Sequence, residues 1–208
     1  MTTLLYITVS PQGDNSRSRG VAEAFLSTHK KISPNTKIVT LDLNEHPVPH
    51  LDSETLIAGY VPEDQRTPSQ KKKHQYRLGL IDQIVKADEI LLASPMWNWN
   101  VPSVLKAYID QLIVPGFFDN NTKKLAGKKV TVALACGGSY SPDSWHPEWD
   151  YETGYLKHIF TALGSTDVEV IRTEWCLAGI VPGMEQFIDK KEESFKDAKL
   201  AAENRARS

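Results

Sequence analysis

The chain has almost no cysteine. Cys136 and Cys176 are the only two among 208 residues, far apart and in no CxxC spacing. That excludes a disulfide framework and removes the usual basis for a structural zinc site, which needs clustered thiolates or imidazoles. Long apolar runs are missing too, so nothing approaches the ~20 residues that cross a bilayer. The opening "MTTLLYITVS" lacks the basic start and extended apolar centre of a secretory signal. Charge of one sign is not in excess: the formal net charge is -2, which leaves no basic stripe to draw nucleic acid. Lys71, Lys72 and Lys73 form the one notable basic run and read as a solvated helix face. These absences set the expectation of a soluble, reduced, cytoplasmic protein with neither nucleic acid nor membrane as partner.

Familiar catalytic signatures are lacking as well. The six histidines show no HExxH spacing, and no GxSxG elbow supports serine hydrolysis. GxxxxGK and GxGxxG are absent, which argues against a nucleotide-triphosphatase loop and against the dinucleotide fingerprint. No metal site is expected, and no catalytic acid or base stands out. His146, close to Trp145 and Trp149, is the one histidine placed where chemistry is worth watching.

What is present is ordinary globular composition, with 40% hydrophobic and 24% charged residues. The length suits one domain over residues 1–208. Near-continuous apolar, β-branched runs at 4–10, 37–43, 89–94, 129–136 and 168–174 read as strands covered on both faces. Amphipathic stretches alternate with them: one opens near Ser16, one runs to about Ala87, and one follows Pro102, a residue well placed at a helix start. The stretch from Asp42 to Gln70, rich in proline and acid, reads as a long loop holding a short helix. The charged tail after Gly183 reads as a final helix frayed by "NRARS". Alternating strand and helix predicts an α/β fold: a flavodoxin-like, five-stranded parallel sheet in the order 2-1-3-4-5, with helices on both faces.

In such a sheet, ligands bind beyond the carboxyl ends of the strands, where the strand order reverses. Three connections leave strands there. "SPQGDNSRSRG" offers the hydroxyls of Ser10, Ser16 and Ser18 and a helix start whose free N–H groups suit phosphate; an ordinary serine N-cap explains the same residues. "SPMWNWNVPSVLKAYID" places Trp97 and Trp99 among Pro95, Asn98 and Asn100 in a strand-to-helix turn, where core packing or a flat heteroaromatic ligand would each account for them. "ACGGSYSPD" puts Gly137 and Gly138 where backbone can approach a ligand closely, or where a plain loop needs freedom. Cys136 suggests a phosphatase-type nucleophile, yet no arginine follows it in that loop to surround a phosphate.

Taken together, "SPQGDNSRS", "PMWNWNVPSVLKAYID" and "CGGSY" resemble the FMN-dependent NADH azoreductases, part of the flavodoxin-like NAD(P)H:quinone oxidoreductases. "LDLNEHPVPHLD" and "LGSTDVEVI" extend the similarity over most of the chain. The resemblance implies that Ser10, Ser16, Arg17 and Ser18 hold the FMN phosphate. It places Pro95, Met96, Trp97, Asn98 and Trp99 along the ring and ribityl chain, and Cys136, Gly137 and Gly138 at the pyrimidine side. Two positions depart from the family pattern. Arg17 stands where glutamine is common, and Ala135-Cys136 stands where Ser-Arg is common, so the balance of ring charge differs here. "PGFFDNNTKKLAGKK" is also shorter than its counterpart.

The function so implied is two-electron, ping-pong hydride transfer from NADH or NADPH through FMN to a quinone or azo compound. The cofactor carries the difficult chemistry, and backbone donors at Gly137 and Gly138 face the charge that develops on the reduced ring. A homodimer is implied, and Phe117, Phe118, Trp145 and Trp149 are either walls of a pocket completed by the second subunit or ordinary core and surface aromatics. Two alternatives stay open at this point, a flavodoxin-type electron carrier and an FAD-dependent quinone reductase.

Overall fold

Residues of alternating direction along five strands divide the apolar side chains between two cores. The computed structural model describes residues 2–208, with strands β1 (Thr3–Thr8), β2 (Lys37–Asp42), β3 (Glu89–Pro95), β4 (Lys129–Ala135) and β5 (Asp167–Thr173). All pairings are parallel and the order is β2-β1-β3-β4-β5. The chain is thus flavodoxin-like in architecture, as its sequence predicts.

Because successive side chains on a strand point to opposite faces, Leu4 and Tyr6 of β1 face one way and Leu5 and Ile7 the other. The first pair joins Leu91, Ala133 and Ile171 beneath α1 (Arg17–Ile32) and α6 (Ile188–Arg207). The second joins Ile90, Leu92, Val130 and Val132 in a larger core beneath α3 (Pro68–Lys86), α4 (Ser103–Leu112) and α5 (Tyr151–Ala162). Both faces are covered, which is why the strands read as continuous apolar runs.

The acidic, proline-rich stretch contains α2 (Ser53–Ala58), as expected, but yields to α3 already at Pro68. There Thr67 and Gln70 form a reciprocal capping box with proline in the first turn. Lys73 of the basic run is not merely solvated: its ammonium lies 2.6 Å from Asp52 and 2.8 Å from Glu54.

The C-terminal helix departs from expectation. It continues to Arg207 because small residues, Ala198, Ala202 and Ala206, let it lie close on the sheet. Arg205 then reaches Asp167 at 2.6 Å, Glu169 at 3.3 Å and the Thr131 hydroxyl at 3.2 Å. Among the described residues, no helix is long and apolar enough to cross a membrane.

Candidate functional site

Strand order reverses between β1 and β3, and at their carboxyl ends lies a cleft of about 600 Å3. Ser16 from the first connection, Trp97 from the second and Gly137 from the third all line it. Three segments separated by many tens of residues therefore meet where the parallel topology demands.

The first wall is built by a helix cap. Ser16 has extended backbone, and its Oγ accepts the Arg19 N–H at 3.3 Å, which fixes the start of α1. The N–H groups of Arg17 and Ser18 have no intrahelical partner by geometry. No acidic residue occupies the first turn, so the positive end of the helix is not neutralised. Ser10 lines the cleft. The Ser18 side chain does not: it is wholly buried behind Ser16, with the two hydroxyls 3.2 Å apart. Arg17 lines the cleft, while its guanidinium forks onto Glu192 at 2.7 and 3.2 Å and covers the Phe195 ring at 4.4 Å. Lys191, also on α6, adds a second cation at this end.

The second wall is a strained turn. Trp97 and Asn100 exchange backbone hydrogen bonds at 3.0 and 3.1 Å, and the two central residues, Asn98 and Trp99, both have positive φ (49° and 65°). This is the geometry of a type I′ turn, in which asparagine is at home and tryptophan is not. Left-handed tryptophan costs about 1–2 kcal/mol, and such strain concentrates at functional turns. The reversal also separates the two indoles. Pro95, Met96, Trp97 and Asn98 face the cleft, whereas Trp99 turns to a neighbouring hollow.

The third wall is held by a connection to which no sequence motif points. After β5 the chain folds back, so that Cys176, Leu177 and Trp175 donate their N–H groups to the carbonyls of Cys136, Gly137 and Gly138 at 2.9, 3.1 and 3.0 Å. Leu177 packs so closely that a Cβ on Gly137 would stand 2.7 Å from its Cδ1. A side chain there would have to displace the Leu177 side chain, and no left-handed φ adds to that demand. Among the described residues, the amides of Gly137 and Gly138 have no protein acceptor. Cys136 itself points into the core, where burial pushes its thiol well above the usual range. A buried, protonated thiol is no nucleophile.

Gly138 and Trp99 border the second hollow, of about 570 Å3, together with Tyr140, Trp149, Trp175 and Phe187. Trp99 meets Trp149 edge to face at 5.5 Å, and His146 stacks on Trp149 at 3.9 Å. Trp145 lies at its rim, 90% exposed. Phe117 and Phe118 are elsewhere. Phe118 is wholly buried in the larger core, and Phe117 lies under the Lys124 ammonium, 3.6 Å from its ring centre. The short segment around them closes on itself through Val114, so neither ring reaches either cleft.

Beneath the turn sits a buried acid. Glu152, in the first turn of α5, is wholly out of contact with solvent, and its Oε1 meets the Ser94 hydroxyl at 2.8 Å. Burial pushes its pKa up from 4.5 to about 8, with Asp150 adding to the shift and the Ser94 bond opposing it. The folded protein therefore binds more protons than the unfolded chain between pH 4.5 and about 8, and its stability falls as pH rises through that window. Glu152→Gln removes the ionisation. At about 1.36 kcal/mol per unit, reduced by local relaxation, the variant should be more stable than the parent by about 2–3 kcal/mol near neutral pH. Thermal melts should converge as pH falls towards 4.5; parallel curves would contradict the assignment.

The family described as "Flavodoxin-like fold" matches residues 2–205. The chain belongs to this family. Among flavodoxin-like relatives, an FMN-dependent NADH:quinone oxidoreductase of Frankia casuarinae is 40% identical, the alignment covering 99% of each chain. One from Trichormus variabilis is 35% identical, covering 97% of this chain and 96% of the relative. A flavodoxin-like azoreductase from Bacillus anthracis superposes with a TM-score of 0.86 at 25% identity, covering 99% of both chains. An FMN-dependent NADH-azoreductase from Bacillus anthracis, in complex with FMN, superposes at 0.80 with 26% identity, covering 99% of this chain and 100% of the other.

Proposed function

We propose that this chain is an FMN-dependent NADH:quinone oxidoreductase that also accepts azo compounds, acting as a cytoplasmic homodimer of one domain, residues 1–208. The observation that carries the reading is the single cleft shared by Ser16, Trp97 and Gly137. A volume of about 600 Å3 is of the size that takes a cofactor. Its two ends differ in the way FMN differs. The α1 start, with Arg17 and Lys191 nearby, fits a phosphate. The Met96, Trp97 and Leu177 side chains fit a flat ring, and the unpartnered amide of Gly137 fits an acceptor on its edge, with that of Gly138 just beyond, in the neighbouring hollow.

When bound, FMN supplies the hydride chemistry that links NADH or NADPH to the acceptor in alternating half-reactions. The protein's share is placement. Ser10, Ser16 and the free N–H groups of α1 fix the phosphate end. Residues 95–98 of the turn support one face, and the Gly137 amide stabilises charge that develops at the ring edge. The neighbouring aromatic hollow around Trp99, Trp149 and Trp175 offers a planar acceptor a place beside that edge. No side chain in either cleft is needed as a general acid.

The experiment is direct. Protein purified with its flavin should be yellow, retain FMN on gel filtration, and lose the flavin absorption band within seconds of anaerobic mixing with NADH. Subsequent addition of a quinone should restore the band. Retention without bleaching would mark an electron carrier, and released flavin of FAD mass would mark the related FAD-dependent class.

A further inference from the structure

Ser94 has one hydroxyl proton and two neighbours that both look like acceptors. Its Oγ lies 2.8 Å from Glu152 Oε1 and 3.2 Å from the Pro95 carbonyl. Ser94 and Glu152 are wholly buried. Were Glu152 ionised, its oxygen and the carbonyl would compete for that single proton, and the carboxylate, the stronger acceptor, would take it, so that Ser94 would release the Pro95 carbonyl. With Glu152 protonated, the inventory closes. The acid donates to Ser94 Oγ, and Ser94 donates to the Pro95 carbonyl. The second carboxyl oxygen, Oε2, has no partner, a tolerable state for a carbonyl and a costly one for a carboxylate.

The surroundings favour the neutral form. Asp150 stands just ahead of α5 and disfavours a second negative charge, and the buried Cys136 thiol just past β4 is protonated and supplies no charge. Arg172 of β5 is already taken by Asp150 at 2.7 Å and Glu174 at 3.7 Å, and among the described residues no cation pairs with Glu152. The Ser94 bond and the start of α5 favour charge, and Asp150, accepting the Thr153 N–H at 2.8 Å, already uses the helix start.

Pro95 is the residue from which the cofactor turn departs. We infer that Glu152 is a positioning residue: as a neutral acid it orders, through Ser94, the Pro95–Trp99 turn, and loss of that proton loosens the protein's hold on FMN. The coupling to FMN rests on the cofactor reading above; the ordering of the turn does not.

Two readouts separate them. The first is FMN affinity at pH 7 and 9, a window above the phosphate's second pKa of about 6. The second is tryptophan emission of the FMN-free protein over the same range, since Trp97 and Trp99 ride on the turn. The parent should lose affinity about tenfold across the window, the size of one positional hydrogen bond, and its tryptophan emission should titrate. Glu152→Gln, which still donates to Ser94, should bind as the parent does at pH 7 and show neither pH effect. Ser94→Ala, which breaks the chain at its middle, should bind more weakly at both pH values and also lose the dependence. Equal pH profiles in parent and Glu152→Gln would overturn the inference. If no protein binds FMN at any pH, the cofactor reading falls, and the tryptophan titration alone decides: present in the parent and absent from both variants upholds the positioning role, while its persistence in either variant refutes it.

Discussion

Ser16→Asp should leave the FMN-free protein as stable as the parent and weaken FMN binding by about two to three orders of magnitude. The two effects separate because Ser16 does two jobs. As the cap of α1 it accepts the Arg19 N–H, and aspartate caps a helix as well as serine does. As the cleft residue at the α1 start it stands where the phosphate is proposed to sit. A carboxylate about 4 Å from a phosphate costs about 4 kcal/mol at an effective dielectric of 20, and each 1.4 kcal/mol is tenfold in affinity. Calorimetric titration with FMN measures the loss, and melting curves of the FMN-free variant check the fold. The deficit should shrink with added salt, because the cleft is open to screening. An aspartate variant that binds FMN like the parent would move the phosphate away from the first connection.

Arg77→Ala should destabilise the fold by about 4 kcal/mol, or lower Tm by about 8–16 °C in a chain of this size. Arg77 is 1% exposed, one of the largest side chains fully enclosed by the fold. It has no carboxylate partner. Its guanidinium instead donates to the carbonyls of Gln111 at 2.9 Å, Ile113 at 2.5 Å, Asp110 at 3.3 Å and Thr55 at 3.4 Å. Three of these carbonyls belong to the end of α4, where the helix dipole favours a cation and the last C=O groups lack intrahelical partners. Alanine leaves a cavity and strands four carbonyl acceptors, two of them fully buried contacts and two partly buried. Lysine should recover little, since a point charge cannot span the fork. Chemical denaturation of both variants tests this. A loss below about 1 kcal/mol for alanine would mean that solvent reaches those carbonyls in the native protein.

How much of this was readable beforehand differs from element to element. Strand β3 was, because Ile90, Leu91 and Leu92 are apolar on consecutive positions, a pattern that only a doubly covered strand needs. The α1 start was, because a serine cap is a local signal. The meeting of the first, second and third connections followed from parallel order alone. The division of neighbours was not readable. Trp97 and Trp99, like Gly137 and Gly138, fall on different hollows, because a type I′ turn and a returning segment set their directions. Phe117 and Phe118 part in the same way: Phe118 is core and Phe117 is exposed.

Periodicity, caps and turn residues are written in windows of a few residues, so the sequence by itself determined the order of elements, the covered faces and the end of the sheet where the three connections meet. Which polar groups lose water is a property of segments brought together from far apart. Glu152 is buried by the end of β3, Arg77 by α4, Arg205 by β5, and Gly137 is pinned by Leu177. Only the tertiary structure decided those environments, because desolvation and hydrogen-bond partnership depend on distant neighbours whose identity no local pattern encodes.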